Sequence, residues 1–295
     1  MQWINEFLEK SIVHEFRLPT LNDSTIKLFV KRDDLIHPQI SGNKLRKLKF
    51  NLKAAMDLNC AGVVTFGGAF SNHLIATAAA CNLANIEAIG YVRGNELNEN
   101  SNTLLKECVR LGMKLIFLPR TEFSTMKRMS GENYFNGAKF WYVPEGGANY
   151  YGVQGCEEIT GTSEFDLVCL AQGTTTTSIG VALSLKDDQK ALLIPVLKGF
   201  DSFAEMGKIV SDDHLLVSLR KRIIIRDDFH FGGYAKATEE LINFVKEFNR
   251  NNEFAIEPVY TGKAMFALNN YLISNQELMK NKKVLFVHTG GLHSF

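Results

Sequence analysis

Features that mark several common protein classes are missing from this 295-residue sequence. No apolar stretch approaches the roughly 18 residues of a transmembrane helix, and the amino-terminal segment MQWINEFLEK lacks the apolar centre of a secretion signal. The five cysteines are odd in number and show no CxxC spacing, which disfavours a disulfide framework or a zinc site. We therefore expect a cytoplasmic protein with reduced thiols and with neither a metal site nor a membrane segment.

The positive and negative charges of the sequence nearly cancel, which disfavours strongly anionic macromolecular partners. The 33 Lys and Arg residues face 32 Asp and Glu residues, so the formal net charge of +1 indicates neither a nucleic acid nor an anionic membrane. The patterns GxGxxG and GxxxxGK[ST] do not occur, so dinucleotides and ATP are not indicated either. With only six prolines, no linker announces a domain boundary. We expect a small-molecule ligand.

Short segments rich in β-branched residues alternate with segments of helical period along the chain. This alternation predicts an α/β fold with doubly wound parallel sheets, because each crossover between parallel strands needs a helix. Most of the strands are apolar throughout, so both faces of the sheet should be buried. The candidate strands are residues 26–32, 61–66, 86–92, 113–118, 165–171, 190–196 and 283–288. Ligands of such sheets bind beyond the carboxyl ends of the strands, so ligand-binding residues are expected at the strand-to-helix junctions.

The first junction, KRDDLIHPQISGNKLRKL, gathers cations at the start of a helix. Asn43 is the candidate N-cap, and Lys44 and Lys47 share one helix face because they are three residues apart. These two ammonium groups can converge on one ligand. The alternative is a basic helix face in solvent, which is the more common role of such a charge cluster.

Two further junctions place polar groups at helix starts. In TFGGAFSNHLIATAAA, Ser71, Asn72 and His73 begin an apolar helix, where they either cap the helix or form a cradle for a carboxylate. In LAQGTTTTSIGVAL, a run of hydroxyl side chains follows a buried strand and can surround a phosphate together with its backbone NH groups. A Ser/Thr turn without chemical consequence is the alternative for the second segment. The hydroxyl run begins with Thr174, Thr175, Thr176 and Thr177.

Considered together, the motifs resemble one enzyme family over nearly the whole chain. Two late segments complete the set: EPVYTGKAM contains Tyr260 and Thr261, and VLFVHTGGLHSF contains Thr289. The resemblance is to the pyridoxal-phosphate (PLP) enzymes that include 1-aminocyclopropane-1-carboxylate deaminase and D-cysteine desulfhydrase, with the tryptophan synthase β-like fold. The motifs that carry it, in order, are KRDD, SGNKLRKL, GGAFSNH, VPEGGAN, the hydroxyl run, PVYTGK and HTGG.

The resemblance explains the clustered cations. It implies that Lys44 forms the Schiff base with the cofactor aldehyde and that Lys47 contacts the cofactor phosphate. The doubly negative phosphate then offsets the positive charge. On such a helix Arg46 and Lys49 point elsewhere, and we expect both in solvent.

The resemblance also assigns the hydroxyl run and the second junction. The run from Thr174 to Thr177 would hold the phosphate from the opposite side, with the dipole of the following helix. Asn72 would hydrogen-bond the phenolic oxygen of the cofactor. Ser71 and His73 would face the carboxylate and the reacting centre of the substrate.

The late motifs bear on the reaction. Tyr260 resembles the family tyrosine beside the substrate, a candidate acid or base, and Thr261 or Thr289 would face the pyridine nitrogen. A hydroxyl protonates the ring less firmly than a carboxylate, which favours β-elimination over opening of a cyclopropane. We therefore expect D-cysteine desulfhydrase chemistry, in which Lys44 or Tyr260 removes the α-proton and the products are sulfide, ammonia and pyruvate. The alternatives are 1-aminocyclopropane-1-carboxylate deaminase, another amino acid lyase or racemase, and a PLP or amino-acid binding protein without turnover.

The chain departs from the family pattern at several positions. Phe70 replaces a glutamine, and Thr175 and Thr176 stand where relatives tend to carry glycine. Phe231 occupies the place of a second substrate-side tyrosine, for which Tyr234 is a substitute three residues away. The substrate itself therefore stays open at this point.

The resemblance implies two α/β lobes with the cofactor between them. The larger lobe is expected to comprise residues 1–45 and 152–295, and the smaller, inserted lobe residues 46–151. Closure of the lobes on the substrate would exclude water. A homodimer is expected from the family alone.

Overall fold

The computed structural model describes residues 1–21, 24–161 and 164–291. In these ranges the chain forms eleven strands: β1 (Val13–Phe16), β2 (Lys27–Lys31), β3 (Gly62–Gly67), β4 (Glu87–Arg93), β5 (Met113–Leu118), β6 (Gly131–Phe135), β7 (Ala138–Val143), β8 (Leu167–Gln172), β9 (Lys190–Pro195), β10 (Ile223–Ile225) and β11 (Lys283–Val287). All seven strands expected from the sequence are present, with ends that differ by no more than two residues.

Eleven α-helices lie in the same ranges, mostly between consecutive strands. They are α1 (Gln2–Leu8), α2 (Asn43–Asp57), α3 (Asn72–Ala84), α4 (Thr103–Arg110), α5 (Arg120–Met126), α6 (Tyr150–Glu157), α7 (Thr176–Ser184), α8 (Ser202–Met206), α9 (Asp213–Arg222), α10 (Glu239–Asn251) and α11 (Thr261–Ser274). Short 3₁₀ turns add to them at Pro19–Leu21, Asp33–Leu35, Glu145–Gly147 and Asp227–Phe229. Among the described residues, no helix is both long enough and apolar enough to cross a lipid bilayer.

The strands form two sheets. The six-stranded sheet has the order β1-β2-β11-β8-β9-β10, and the five-stranded sheet has the order β5-β4-β3-β7-β6. Pairing is parallel except for the edge strands β1 and β6, which run antiparallel to their neighbours. The expected doubly wound α/β class is therefore confirmed. All strands of the smaller sheet lie between residues 62 and 143, and the lobe boundaries at 46 and 151 stay a prediction.

The apolar strands are buried because helices cover both sheet faces. Every residue of β3 and of β8 is buried. Alternate residues of β8 enter two different cores: Cys169 packs with α10 and α11, whereas Val168 and Leu170 pack with α6, α7 and α9. This arrangement explains why these strands show no polar alternation, since neither face meets water.

Four strands were not expected from the sequence, and the hairpin β6–β7 is the longest of these segments. Strand β6 lies at the sheet edge, and its residues alternate between partly exposed and exposed. The turn between the two strands is Asn136-Gly137, with φ angles of 50° and 81°. An Asn-Gly pair of this kind is the sequence signal of a tight hairpin and could have identified it.

The expectation that Arg46 lies in solvent was wrong. Its side chain is 3% exposed, and it donates hydrogen bonds to both carboxylate oxygens of Asp33, from Nε at 2.7 Å and from Nη2 at 2.8 Å. Ser11 Oγ donates to the same carboxylate at 2.5 Å. Lys49 is partly exposed and pairs with Glu158 of α6 at 2.6 Å. These ion pairs fix α2 against the loop after β2 and against α6.

Candidate active site

The two lysines at the start of α2 form the centre of a positively charged cluster. Lys47 is 3% exposed, and its Nζ donates to the carbonyl oxygen of Gly146 at 3.1 Å and to Thr174 Oγ1 at 3.0 Å. Lys44 is partly buried and donates to Asn43 Oδ1 at 2.6 Å. Burial and then the charge of Lys47 lower the pKa of Lys44 to about 7, and burial lowers the pKa of Lys47 to about 8.

These two ammonium groups have no carboxylate partner among the described residues. Three other cations of α2 do form ion pairs, with partners in the preceding loop, in α6 and in α2 itself. Within the described part of the chain, the positive charge at Lys44 and Lys47 is therefore uncompensated. Two neighbouring cations of this kind, one buried and one partly buried, suit an anionic ligand.

The start of α2 is built differently from the sequence expectation. Asn43 was expected to cap the helix, but it is the first helical residue and Gly42 is the cap. Gly42 has a φ of +66°, and a Cβ there would lie 1.7 Å from the carbonyl oxygen of Thr289, so only glycine fits. The Asn43 amide instead donates to Thr177 Oγ1 at 2.8 Å. The HTGG segment, the lysine helix and the hydroxyl run therefore meet at one point.

Ser71, Asn72 and His73 begin α3 beside the same cluster. Ser71 caps the helix, because its Oγ accepts from the His73 backbone NH at 3.3 Å, and Asn72 is partly exposed. The His73 ring is buried, at 2% exposure, and neither ring nitrogen has a hydrogen-bond partner among the described residues. Burial, then Lys44 and Lys47, lower its pKa to about 3. His73 is therefore neutral, with both nitrogens available to a ligand.

The hydroxyl run forms the turn into α7. Thr175, Thr176 and Thr177 are nearly fully buried, and Thr176 Oγ1 has no hydrogen-bond partner within the described ranges. Thr175 has a φ of −78° and is the N-cap of α7. Because this conformation is right-handed, the turn does not need glycine at this position.

Gly146 and Gly147 belong to the VPEGGAN motif, from which the sequence predicted no role for them, and the structure places both in the site. Their φ angles are +69° and +71°. A Cβ on Gly146 would lie 2.8 Å from Thr174 Cγ2, and a Cβ on Gly147 would lie 3.1 Å from Lys47 Cβ. This turn therefore brings backbone against the hydroxyl run and the lysine helix, which a side chain would prevent.

Tyr260 borders the site from the start of α11. A Cβ on Gly173 would lie 2.9 Å from Tyr260 Cε1, so the tyrosine ring lies against the residue that precedes the hydroxyl run. The ring centroid of Tyr234 is 6.0 Å away. Burial, followed by the neighbouring Tyr234, raises the pKa of Tyr260 far above its usual value. Tyr260 therefore keeps its proton at neutral pH.

The two threonines predicted to face a pyridine nitrogen have different surroundings. Thr261 is fully buried; its hydroxyl donates to Glu257 Oε1 at 3.2 Å and accepts from the Glu257 backbone NH at 3.0 Å. Glu257 was not identified from the sequence, and its carboxylate also accepts from the NH groups of residues 259 to 261. Thr289 contributes its carbonyl oxygen, which accepts from the Asn43 NH at 3.4 Å.

Comparison with known proteins places the chain in a family. The family described as "Pyridoxal-phosphate dependent enzyme" matches residues 14–290. The chain belongs to this family. Its cofactor is pyridoxal phosphate, and the resemblance inferred from the motifs is confirmed.

Two relatives of this PLP enzyme cover most of its length. The bifunctional D-cysteine desulfhydrase/1-aminocyclopropane-1-carboxylate deaminase of Arabidopsis thaliana is 31% identical over 95% of this chain and 76% of its own. The D-cysteine desulfhydrase of Klebsiella pneumoniae subsp. pneumoniae is 27% identical over 93% and 90%.

Solved structures support the same fold. A crystal structure of a homologue of 1-aminocyclopropane-1-carboxylate (ACC) deaminase superimposes with a TM-score of 0.75 and 26% identity, covering 99% of this chain and 95% of that one. The serine racemase of Dictyostelium discoideum, at 14% identity and a TM-score of 0.67, shares the fold. It covers 100% of this chain and 98% of its own.

The residues present fit pyridoxal phosphate. The cofactor brings an aldehyde and a phosphate dianion, and the site offers an amine with a lowered pKa together with uncompensated positive charge. The buried hydroxyl of Thr176 and the ring nitrogens of His73 lack protein partners in the described ranges, although buried polar groups are normally hydrogen-bonded. A polar ligand beside α3 and α7 would satisfy these atoms.

Proposed function

We propose that this PLP enzyme is a lyase that acts on a small amino acid. The favoured candidate substrate is D-cysteine. The reaction is β-elimination: one D-cysteine and one water yield pyruvate, ammonia and sulfide. The observation that carries the choice is the hydroxyl of Thr261, in place of a carboxylate, directly after Tyr260. The names of the Arabidopsis and Klebsiella relatives support the same substrate.

Lys44 is proposed to bind the cofactor aldehyde and to move the α-proton. With a pKa lowered to about 7, a large share of its Nζ is neutral near pH 7, as both tasks require. The cofactor, when bound, spreads the negative charge that develops at the substrate Cα over its ring. Lys47 and the hydroxyl run from Thr174 to Thr177 are proposed to hold the phosphate, helped by the amino-terminal end of α7.

Tyr260 is proposed to donate a proton rather than to accept one. Its raised pKa keeps the phenol protonated, which leaves Lys44 Nζ as the base. The phenol proton would go to the departing sulfur of D-cysteine. Release of the product as an enamine, followed by hydrolysis, gives the keto acid and ammonia.

The start of α3 is proposed to hold the substrate and the cofactor ring. Ser71 and neutral His73 present a hydroxyl and ring nitrogens beside the backbone NH groups of a helix start, which together suit a carboxylate. Asn72 is proposed to hydrogen-bond the phenolic oxygen of the cofactor. Thr261, with Thr289 as the alternative, is proposed to face the pyridine nitrogen.

Deamination of 1-aminocyclopropane-1-carboxylate is the second candidate. The relative from Arabidopsis carries both activities in its name, and the solved homologue at 26% identity is described by the second. That reaction consumes one water and yields 2-oxobutyrate and ammonia. We place it second because a hydroxyl next to the pyridine nitrogen supports a weaker electron sink than a carboxylate does.

The quaternary structure and location belong to the same proposal. We infer a homodimer in the cytoplasm, with residues 46–151 as an inserted smaller lobe that closes on the substrate. Sedimentation of the purified protein tests the dimer. Hydrogen exchange measured by mass spectrometry, with and without a bound amino acid, tests whether residues 46–151 respond as one unit.

The reaction is tested on purified protein loaded with pyridoxal phosphate. D-cysteine, D-serine and 1-aminocyclopropane-1-carboxylate are supplied in turn, and sulfide, pyruvate and 2-oxobutyrate are measured. Sulfide and pyruvate from D-cysteine support the first proposal, and 2-oxobutyrate from the cyclopropane supports the second. A change in cofactor absorbance without any of these products would refute both proposals and would favour a binding protein or a racemase. The variant Lys44→Ala, checked for folding by circular dichroism, serves as the inactive control.

A further inference from the structure

The side chain of Glu257 turns towards the start of α11 and collects hydrogen bonds there. Its Oε2 accepts from the Val259 NH at 2.6 Å, and its Oε1 accepts from the NH groups of Tyr260 at 2.8 Å and Thr261 at 2.9 Å. Oε1 also accepts from the Thr261 hydroxyl at 3.2 Å. All four partners donate, which suits an ionised carboxylate because such a group only accepts.

The negative charge of this carboxylate has no side-chain cation beside it. Among the described residues, no lysine, arginine or histidine forms an ion pair with Glu257. Lys263 of the same helix is buried, but its Nζ donates to two carbonyl oxygens of the loop before α10. A Cβ on Gly291 would lie 3.5 Å from Glu257 Oε1, so the carboxylate also borders the segment that carries Thr289. The charge therefore lies beside both segments whose threonines are proposed to face the pyridine nitrogen.

The hydrogen bonds of Thr261 fix the direction in which its hydroxyl can act. Thr261 is fully buried, and a hydroxyl has one proton and two lone pairs. The proton is donated to Glu257 Oε1, and one lone pair accepts from the Glu257 backbone NH at 3.0 Å. One lone pair is left, so the hydroxyl can serve a third partner only as an acceptor. That partner must donate.

We propose that Glu257 is a positioning residue that acts through the Thr261 hydroxyl to keep a proton on the pyridine nitrogen of the bound cofactor. This inference rests on the proposed position of Thr261 at that nitrogen. A neutral pyridine nitrogen offers a lone pair, which the oriented hydroxyl cannot serve, whereas a protonated nitrogen donates to it and is attracted by the carboxylate behind it. Because one hydroxyl separates the charge from the ring, the proton is held less firmly than by a carboxylate in direct contact, in agreement with the choice of β-elimination.

Two cofactors distinguish this role from the capping of α11. In 1-deazapyridoxal phosphate a CH group replaces the pyridine nitrogen, while the aldehyde and the phosphate are kept. Absorbance titration of the apoprotein gives both dissociation constants, and their ratio isolates the contribution of the nitrogen. Glu257→Gln keeps an acceptor oxygen but removes the charge, and it should reduce the preference for pyridoxal phosphate by about 3- to 10-fold. Equal losses of affinity for both cofactors, the effect of a weakened cap alone, overturn the inference, as does an unchanged preference.

Variants of Thr261 test the connection between the carboxylate and the ring. Thr261→Val should reduce the preference as Glu257→Gln does, the double variant should lose little more, and Thr261→Ser should retain the preference. Asp212→Asn is the matched control, because Asp212 is an exposed carboxylate that caps α9 by accepting from two backbone NH groups. Its preference should equal that of the wild type.

The two substitutions also separate this inference from the proposal on which it rests. If Thr261→Val leaves the preference unchanged, Thr261 does not face the nitrogen, and both statements fail. If Thr261→Val reduces the preference and Glu257→Gln does not, the position of Thr261 stands and the role of Glu257 is refuted. Neither result depends on turnover, so a protein inactive on all three amino acids would fail as the proposed lyase while the titrations still decide the role of Glu257.

Nuclear magnetic resonance reads the proton directly. Wild-type protein loaded with pyridoxal phosphate that carries nitrogen-15 in its ring should show the chemical shift of a protonated pyridine near neutral pH. In Glu257→Gln the signal should move towards that of a neutral pyridine, and in Asp212→Asn it should not move. Should Glu257→Gln not fold, the wild-type signal decides, because a neutral ring nitrogen there contradicts the inference.

Discussion

Replacing Lys44 by methionine should stabilise the cofactor-free protein near pH 7 and do so less at higher pH. The amine has a pKa of about 7 in the folded protein and 10.5 in the unfolded chain. Between these values the unfolded chain binds the proton more strongly, so the wild-type free energy of unfolding rises with pH from about 7 towards 10.5. The methionine variant lacks this dependence.

The magnitude follows from the difference between the two pKa values. A difference from 10.5 to about 7 corresponds to about 5 kcal/mol for a fully buried group. Lys44 is only partly buried, and solvent screening reduces the effect to about 1–3 kcal/mol. We therefore expect Lys44→Met to exceed the wild type by about 1–3 kcal/mol at pH 7 and to approach it near pH 10.

The assay is urea unfolding of cofactor-free protein at several pH values between 7 and 10. Lys53→Met is the matched control, because Lys53 lies on the same helix with an exposed side chain paired to Asp57. The free energy of unfolding of Lys53→Met should stay within about 1 kcal/mol of the wild-type value and should not show the pH trend expected of Lys44→Met. An advantage of Lys44→Met that is the same at every pH would refute the assigned cause. So would a matching trend in Lys53→Met.

Three further substitutions test other parts of the structure. Arg46→Met leaves a buried carboxylate without its partner and should cost about 3–5 kcal/mol in urea unfolding; a loss below about 1 kcal/mol would contradict the buried pair. Gly146→Ala should weaken cofactor binding, measured by absorbance titration, because the new Cβ would lie 2.8 Å from Thr174 Cγ2. The control is Gly137→Ala, at a hairpin turn with open space around it, which should bind the cofactor normally. When the pH is lowered from 6.5 to about 4, the melting temperature of His73→Asn should fall less than that of the wild type. In this range the unfolded wild-type chain binds a proton that folded His73, with its pKa lowered to about 3, does not bind. His214→Asn, at an exposed position, should follow the wild type.

The strands were predictable where burial leaves a strong pattern. Strands such as β3 and β8 are apolar at most positions because both sheet faces are covered, and this signal is local in the sequence. The edge strand β6 has the sequence GENYF, in which polar and apolar residues do not alternate, and it pairs on one side alone, so tertiary context decides its structure. Its Asn-Gly turn was the available signal.

The candidate site was predictable to the extent that its residues lie at helix starts. Lys44, Lys47 and His73 could be located because parallel strands deliver helix starts to one edge. The burial of Arg46 could not be predicted, because its partner Asp33 lies 13 positions earlier, in a loop whose path depends on the whole fold. The same holds for Lys263 of α11, which is fully buried and donates from Nζ to the carbonyl oxygens of His230 and Gly233, 33 and 30 positions earlier.

The gathering of cations at a helix start follows from what faces it. Helix starts carry partial positive charge, so Lys44 and Lys47 are repelled by the end of their own helix as well as by each other. No carboxylate among the described residues pairs with either ammonium group. Helix α7 adds a second start to the same cluster, because Asn43 at the first turn of α2 donates to Thr177 at the first turn of α7. Two converging positive helix ends and two ammonium groups are tolerable in a folded protein when a dianion occupies the space between them. The stability of the apoprotein and the affinity for the cofactor phosphate are therefore coupled. A substitution that removes one of these positive charges should stabilise the apoprotein and weaken the binding of the phosphate.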